Sequence, residues 1–268
     1  MVWQTISKLP IALGLDNFNG KVEFIYVSSG ICYEFDKYFE TPLQNPFPTR
    51  TYPSSTKSPY VWYQYENSNG IMNRMPNKSI KTIVESDNWD HIVLGIQHPA
   101  HKTSWSFELS KYYLSSFINN LRKITSATIW YVRSPLSVKK CMKLDESIDY
   151  YIGGKNALFN NNDEFKKYVD NEDFKIMQEF NLKDIPLRDV FEMVQKKLNS
   201  ELMHDFVHVD WGIGRYSLLA ITYWYLFNKL PKDFTLKLNS TYENGNKDID
   251  LTKENKKIVD DLIKENYN

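Results

Sequence analysis

Three short blocks in this chain carry residue types suited to acyl-transfer chemistry. Val27-Ser28-Ser29-Gly30 follows an apolar run and offers a hydroxyl. A serine hydroxyl is a weak nucleophile until a base takes its proton. Asp205-Phe206-Val207-His208 offers such a base, with a carboxylate close in sequence to fix its tautomer and stabilise the imidazolium. Gly95-Ile96-Gln97-His98 offers backbone N–H groups and an amide or imidazole side chain that could hold an oxyanion. Each block has a structural alternative. Ser29 could cap a following helix, with Ser28 as the fallback nucleophile. His208 could be a satisfied structural histidine, and Asp205 a turn residue. Asp210 is a second candidate for the orienting carboxylate, and Gln97 and His98 could simply bond loop backbone.

A competing constellation uses four of the five histidines. His98 and His101 are three apart, and His204 and His208 four apart, spacings that zinc sites use. Asp90 or Asp205 could complete such a set. The serine route needs no cofactor.

These blocks need a scaffold that brings them together. Residues 22–28, VEFIYVS, are β-branched and aromatic and predict a buried strand ending in a turn. Residues 91–97, HIVLGIQ, and 127–133, ATIWYVR, predict two more strands. Between these two, residues 108–124 place Leu109, Tyr112, Tyr113, Phe117 and Leu121 on one helical face. The alternation predicts an α/β domain with a mainly parallel sheet flanked by helices. In such a sheet ligands gather at the carboxyl ends of the strands, where all three blocks would then lie. Residues 184–199 predict a short strand and a helix, and 215–229 an apolar helix. The polar stretch 137–180 reads as loops and short helices. Residues 41–60 hold five prolines and read as a long loop or arm. The expected organisation is one domain over residues 1–230 and a polar C-terminal appendage over 231–268, the latter with an amphipathic surface helix.

The order and spacing of these blocks resemble the SGNH (GDSL-like) hydrolase superfamily, in particular its PC-esterase and neurexophilin-like esterase branch. FIYVSSGICYEF resembles the first block of that family, HIVLGIQHPAH a later strand and its oxyanion loop, and HDFVHVDWGIGRYSLLA the Asp-x-x-His block with its helix. The resemblance spans roughly residues 20–228. It implies a three-layer α/β/α fold with Ser29 as nucleophile, His208 as base and Asp205 as its partner. It further implies Gly95, Gln97 or His98, and Gly70 around the oxyanion. The chain departs from the family at Val27 and Ser28, where the family has Gly and Asp. The implied activity is hydrolysis or transfer of an acyl ester, including acetyl esters of sugars. In this reading Trp62, Tyr63 and Tyr65 shape the substrate groove; a binding module that keeps the fold without the nucleophile stands as the alternative, with the aromatic arm of residues 52–65 gripping a carbohydrate or peptide.

Composition narrows the partners. Lys plus Arg and Asp plus Glu both number 33, for a formal charge of zero. Nucleic-acid binders rest on phosphate neutralisation by a basic excess, so nucleic acid is not an expected partner. No apolar run approaches a membrane span. Pro10 interrupts the first apolar piece and no small-residue cleavage site follows, so residues 1–16 do not read as a signal peptide; the compartment is left open, with the cytoplasm slightly favoured. Two cysteines, Cys32 and Cys141, make no disulfide framework. The expected partner is a small-molecule or carbohydrate ester, and oligomeric state is left open.

Overall fold

The computed structural model describes residues 21–26, 61–66, 71–76, 84–85, 88–96, 107–136, 162–203, 209–231, 235 and 249–267. Its elements in chain order are β1 (Lys21–Tyr26), β2 (Val61–Glu66), β3 (Ile71–Pro76), β4 (His91–Ile96), α1 (Phe107–Ile124), β5 (Thr128–Arg133), α2 (Asn162–Glu179), β6 (Lys183–Ile185), α3 (Leu187–Leu198), α4 (Ile213–Phe227) and α5 (Lys253–Asn266).

The strands form two sheets. β4, β5 and β6 are parallel neighbours in that order, with Gly95 opposite Val132 and Ile185 opposite Val132 on its other side. Parallel pairing requires a crossover, and α1 and α2 supply the two. Along β5 successive side chains alternate between faces. Val132 joins Ile185 in an apolar core with Val190, Phe191 and Val194 of α3 and with Ile213, Tyr216 and Ile221 of α4. Tyr131 points to the opposite face, where its hydroxyl meets Asp173 of α2. Helices therefore cover both faces of the parallel sheet, giving an α/β architecture with the apolar face and the polar face of β5 separately filled.

The second sheet corrects one expectation. β1 does not open the parallel sheet: it pairs antiparallel with β2, Lys21 opposite Glu66 through Tyr26 opposite Val61, and β2 pairs antiparallel with β3. An apolar run signals a strand but not its direction or its partner. The β2–β3 hairpin offers a complete six-residue ladder, and β1 extends it. Trp62, Tyr63 and Tyr65 thus belong to a central strand, with Trp62 opposite Ile25 and Met75.

A second correction concerns residues 162–179, expected as loops and short helices but forming the 18-residue α2. Its buried positions are Phe165, Val169, Glu172, Asp173, Ile176 and Met177. That is a regular helical stripe in which two positions are carboxylates, so the apolar periodicity is broken while the geometry is kept. Asp163 and Glu164 in the first turn favour the positive end of the helix dipole.

Helix ends are marked by asparagine. Asn181, Asn199 and Asn228 hold φ of 48°, 47° and 51°, the left-handed region that Asn tolerates better than most residues. Asn199 and Asn228 terminate α3 and α4. At the start of α5, Thr252 accepts a hydrogen bond from the Asn255 N–H at 3.1 Å.

α5 lies alongside α4 in the same direction. The Ile213 N–H bonds the Ile249 carbonyl, the Tyr216 hydroxyl bonds Asp260 at 2.6 Å, and the Trp224 indole bonds the Tyr267 carbonyl at 2.9 Å. Val259 and Ile263 are fully buried in the core of α3 and α4. The polar stretch after residue 230 therefore ends in a helix that contributes to this core rather than lying over it.

Candidate functional site

The Asp205–His208 block is framed on both sides by described structure. Met203 and Val209, the residues flanking 204–208 in sequence, form an antiparallel bridge. Leu202, fully buried, donates its N–H to Gln195 Oε1 of α3 at 2.9 Å, and its carbonyl accepts from the Asp210 N–H at 2.8 Å. Asp210 is buried, and its two carboxylate oxygens accept the N–H groups of Gly212 and Gly214 at 2.8 and 2.7 Å. It thereby satisfies two orphan donors at the start of α4. Gly214 is required at its position: a Cβ there would stand 2.5 Å from Asp210 Oδ2 and 2.8 Å from the Leu202 carbonyl. The role visible for Asp210, weighed above as a partner of His208, is that of a helix cap. Just beyond, the Arg215 guanidinium stacks over the Trp211 ring at 3.7 Å.

Ser29, Gly70, Gln97, His98, His101, His204, Asp205 and His208 themselves lie outside the described residues. Their flanks are placed. Tyr26, three residues before Ser29, ends β1 in the antiparallel sheet, and Ile96, directly before Gln97, ends β4 in the parallel one. Gly95 is the fifth residue of β4 and pairs with Val132. Gly70 sits in the connection between β2 and β3. The expectation that the first block follows a strand of the parallel sheet therefore does not hold, because β1 pairs in the antiparallel one.

Asp90, weighed with the histidines as a metal ligand, directly precedes β4, and His98 and His101 lie outside the described residues. Among the described residues no group of three or more His, Cys, Asp or Glu is arranged to hold a metal ion.

A charged network that the sequence reading missed occupies the carboxyl end of β5. Arg133, the last residue of β5, donates from Nε to Asp184 at 2.9 Å and from its terminal nitrogens to Asp184 at 2.9 Å and Asp189 at 2.5 Å. Arg188, in the first turn of α3 and 1% exposed, donates to the Ser134 carbonyl at 3.0 Å, Asp170 at 2.5 Å and Asp173 at 2.8 Å. Asp173 also accepts the Tyr131 hydroxyl at 2.6 Å. Two buried guanidiniums thus bind β5, β6, α2 and α3 together, each satisfied by carboxylates in bidentate or forked geometry. Burial opposes the charge on Arg133, but its bonds to Asp184 and Asp189 outweigh this and hold its pKa above the ordinary value. Burial raises the Tyr131 pKa well above normal, and the Asp173 charge and hydrogen bond push it in the same direction. The available signal was Asp170 and Asp173 on one helix, at a spacing that lets both reach Arg188.

The described helices include none long and apolar enough to cross a membrane. No protein-family model matches the chain, and no curated protein matches it. Among solved structures the chain is similar to the crystal structure of a DUF4886 family protein from Bacteroides uniformis. The identity is 13% and the TM-score 0.61, over 95% of this chain and 87% of that one. At that identity the likeness is one of fold, and the chain shares its α/β architecture with this bacterial protein over nearly its whole length.

Proposed function

We propose that the chain is an ester hydrolase or acyltransferase of SGNH type, acting on ester-linked acyl groups. Ser29 attacks the carbonyl, His208 takes its proton and returns it to the leaving alcohol, and Asp205 orients the imidazole. The N–H groups of Ser29 and Gly95, with the side chain of Gln97 or His98, receive the oxyanion. The observation that carries this reading is the framing of the Asp-x-x-His block. The Met203–Val209 bridge, the Leu202 bonds and the Asp210 cap pin its two ends at the start of α4. Fixed flanking residues are what a segment carrying a general base requires. The parallel sheet with helices on both faces agrees with the same family.

The test is labelling of the folded protein with a fluorophosphonate, followed by peptide mass spectrometry. The expected result is one adduct on Ser29 that disappears in His208→Ala. Absence of any adduct on folded protein would refute the reading. A second reading, a binding module on the same scaffold, is favoured by one observation: β1, the strand that precedes the serine block in sequence, pairs in the antiparallel sheet rather than the parallel one. That module would bind a ligand that survives both Ser29→Ala and His208→Ala.

A further inference from the structure

Phe174 is one of two large apolar side chains that stand exposed among the described residues, at 47%, on an α2 that is otherwise apolar only where it is buried. Its ring lies over the Arg133 guanidinium, 5.3 Å from the ring centroid, which holds it in place. It borders an open depression of about 450 Å³ lined also by Met177, Gln178, Asn181, Leu182 and Asp184. Met177 and Leu182 are nearly buried and form an apolar floor. Gln178 and Asn181 are exposed and bring amide groups, while Asp184 brings a carboxylate whose side chain is 33% exposed. Arg133 fixes that carboxylate from one side.

The walls are preformed. Asn181 holds its left-handed conformation while the Leu182 N–H bonds the Met177 carbonyl at 2.8 Å, closing the end of α2. Arg122 of α1 donates to the Asn181 carbonyl at 3.4 Å. A clamped aromatic ring beside two amides and an oriented carboxylate suits a ligand with one apolar C–H face and a rim of hydroxyl groups. The amides and the carboxylate accept and donate to such hydroxyls in plane. Phosphate-bearing ligands are disfavoured, because in the adjoining network Asp170, Asp173, Asp184 and Asp189 outnumber Arg133 and Arg188. We infer that this depression is a binding site for a neutral pyranose ring, stacked on Phe174 and hydrogen-bonded by Gln178, Asn181 and Asp184.

Saturation-transfer difference NMR on the full chain tests this, with the methyl glycosides of glucose, galactose and N-acetylglucosamine and, as a comparison, adenosine. The expected result is transfer to the ring C–H protons of at least one glycoside. Its affinity falls roughly tenfold in Phe174→Ala, by loss of the stacking surface, and falls also in Gln178→Ala. Both positions are exposed, so the variants should fold, and circular dichroism verifies it. Binding should persist in His208→Ala, which separates this site from the proposed catalytic one. No transfer to any glycoside, transfer to adenosine alone, transfer unchanged in folded Phe174→Ala, or transfer lost in His208→Ala would each overturn the inference.

Discussion

Replacing Arg188 by methionine isolates the energetic role of the buried charge network. Methionine fills much of the same volume, so the loss is chiefly that of charge and hydrogen bonding rather than of packing. Arg188 is 1% exposed and Asp173 fully buried, so solvent screening does not soften the loss. Three donated bonds disappear, to Ser134, Asp170 and Asp173. Removing one partner of a buried ion pair costs about 3–5 kcal/mol, because the remaining charge stays desolvated. That is a large share of the ~5–15 kcal/mol that holds a domain folded. Urea unfolding followed by circular dichroism should therefore show a lower midpoint with little change in slope. The diagnostic step is a cycle with Asp173→Asn. In the native background this change should destabilise, since it weakens the acceptor of both Arg188 and the Tyr131 hydroxyl. In the Arg188→Met background it should cost much less, because it removes an uncompensated charge. A coupling of roughly 2–3 kcal/mol is expected. An Arg188→Met cost below about 1 kcal/mol, or equal effects of Asp173→Asn in both backgrounds, would refute this account.

Three further outcomes follow from the same geometry. The folded Tyr131 pKa lies well above the ordinary 10.0, so below that pH both states hold the proton and the contribution is complete. Above it the unfolded chain ionises while the native state does not, so stability falls as pH rises. Tyr131→Phe should flatten that alkaline decline by up to about 1.4 kcal/mol per pH unit in urea titrations; an unchanged slope would contradict it. Gly214→Ala forces a methyl against Asp210 and the Leu202 carbonyl, and should lower stability by about 1–3 kcal/mol in thermal unfolding. Asp210→Ala uncovers the Gly212 and Gly214 N–H groups and should cost about 1–2 kcal/mol. If the proposed esterase role of the adjoining block is right, it should also slow fluorophosphonate labelling in protein that is still folded.

Much of the parallel sheet was legible because its signals are local. Residues 91–97 and 127–133 are dense in β-branched and aromatic side chains, and β4 and β5 stand there. The short strand and helix expected over 184–199 appear as β6 and α3. What escaped the sequence depends on partners distant in the chain. α2 looked polar because Asp173 occupies a core position, which is tolerable only with Arg188 and Tyr131 folded onto it. β1 read as a strand, yet its antiparallel partner lies some forty residues later, and no periodicity reports that. The capping bonds of Asp210 escaped the sequence, because a capping carboxylate and a catalytic one look alike there. Of the acyl-transfer residues, Gly95 falls on a described strand. Ser29, Asp205 and His208 lie outside the described residues, and only their flanks can be compared with expectation.

The parallel run of α4 and α5 has a consequence for the order of events during synthesis. Two helices that run side by side in one direction need a return connection, so residues 228–252 must be made before α5 can begin to dock. Until then Ile213, Tyr216, Ile221, Val190 and Val194 lack the covering side chains Val259 and Ile263. The Trp224 indole waits for a carbonyl at residue 267. At roughly 5–20 residues per second, the forty residues from Phe227 to Tyr267 take about 2–8 s to translate. For those seconds a nascent chain carries an open apolar face that invites chaperones or neighbours. Ribosome-bound chains that have emerged only as far as residue 250 should therefore be cut by protease across α3 and α4, and chains in which residue 267 has emerged should resist. Equal resistance in both would show that α5 is dispensable to the core it caps.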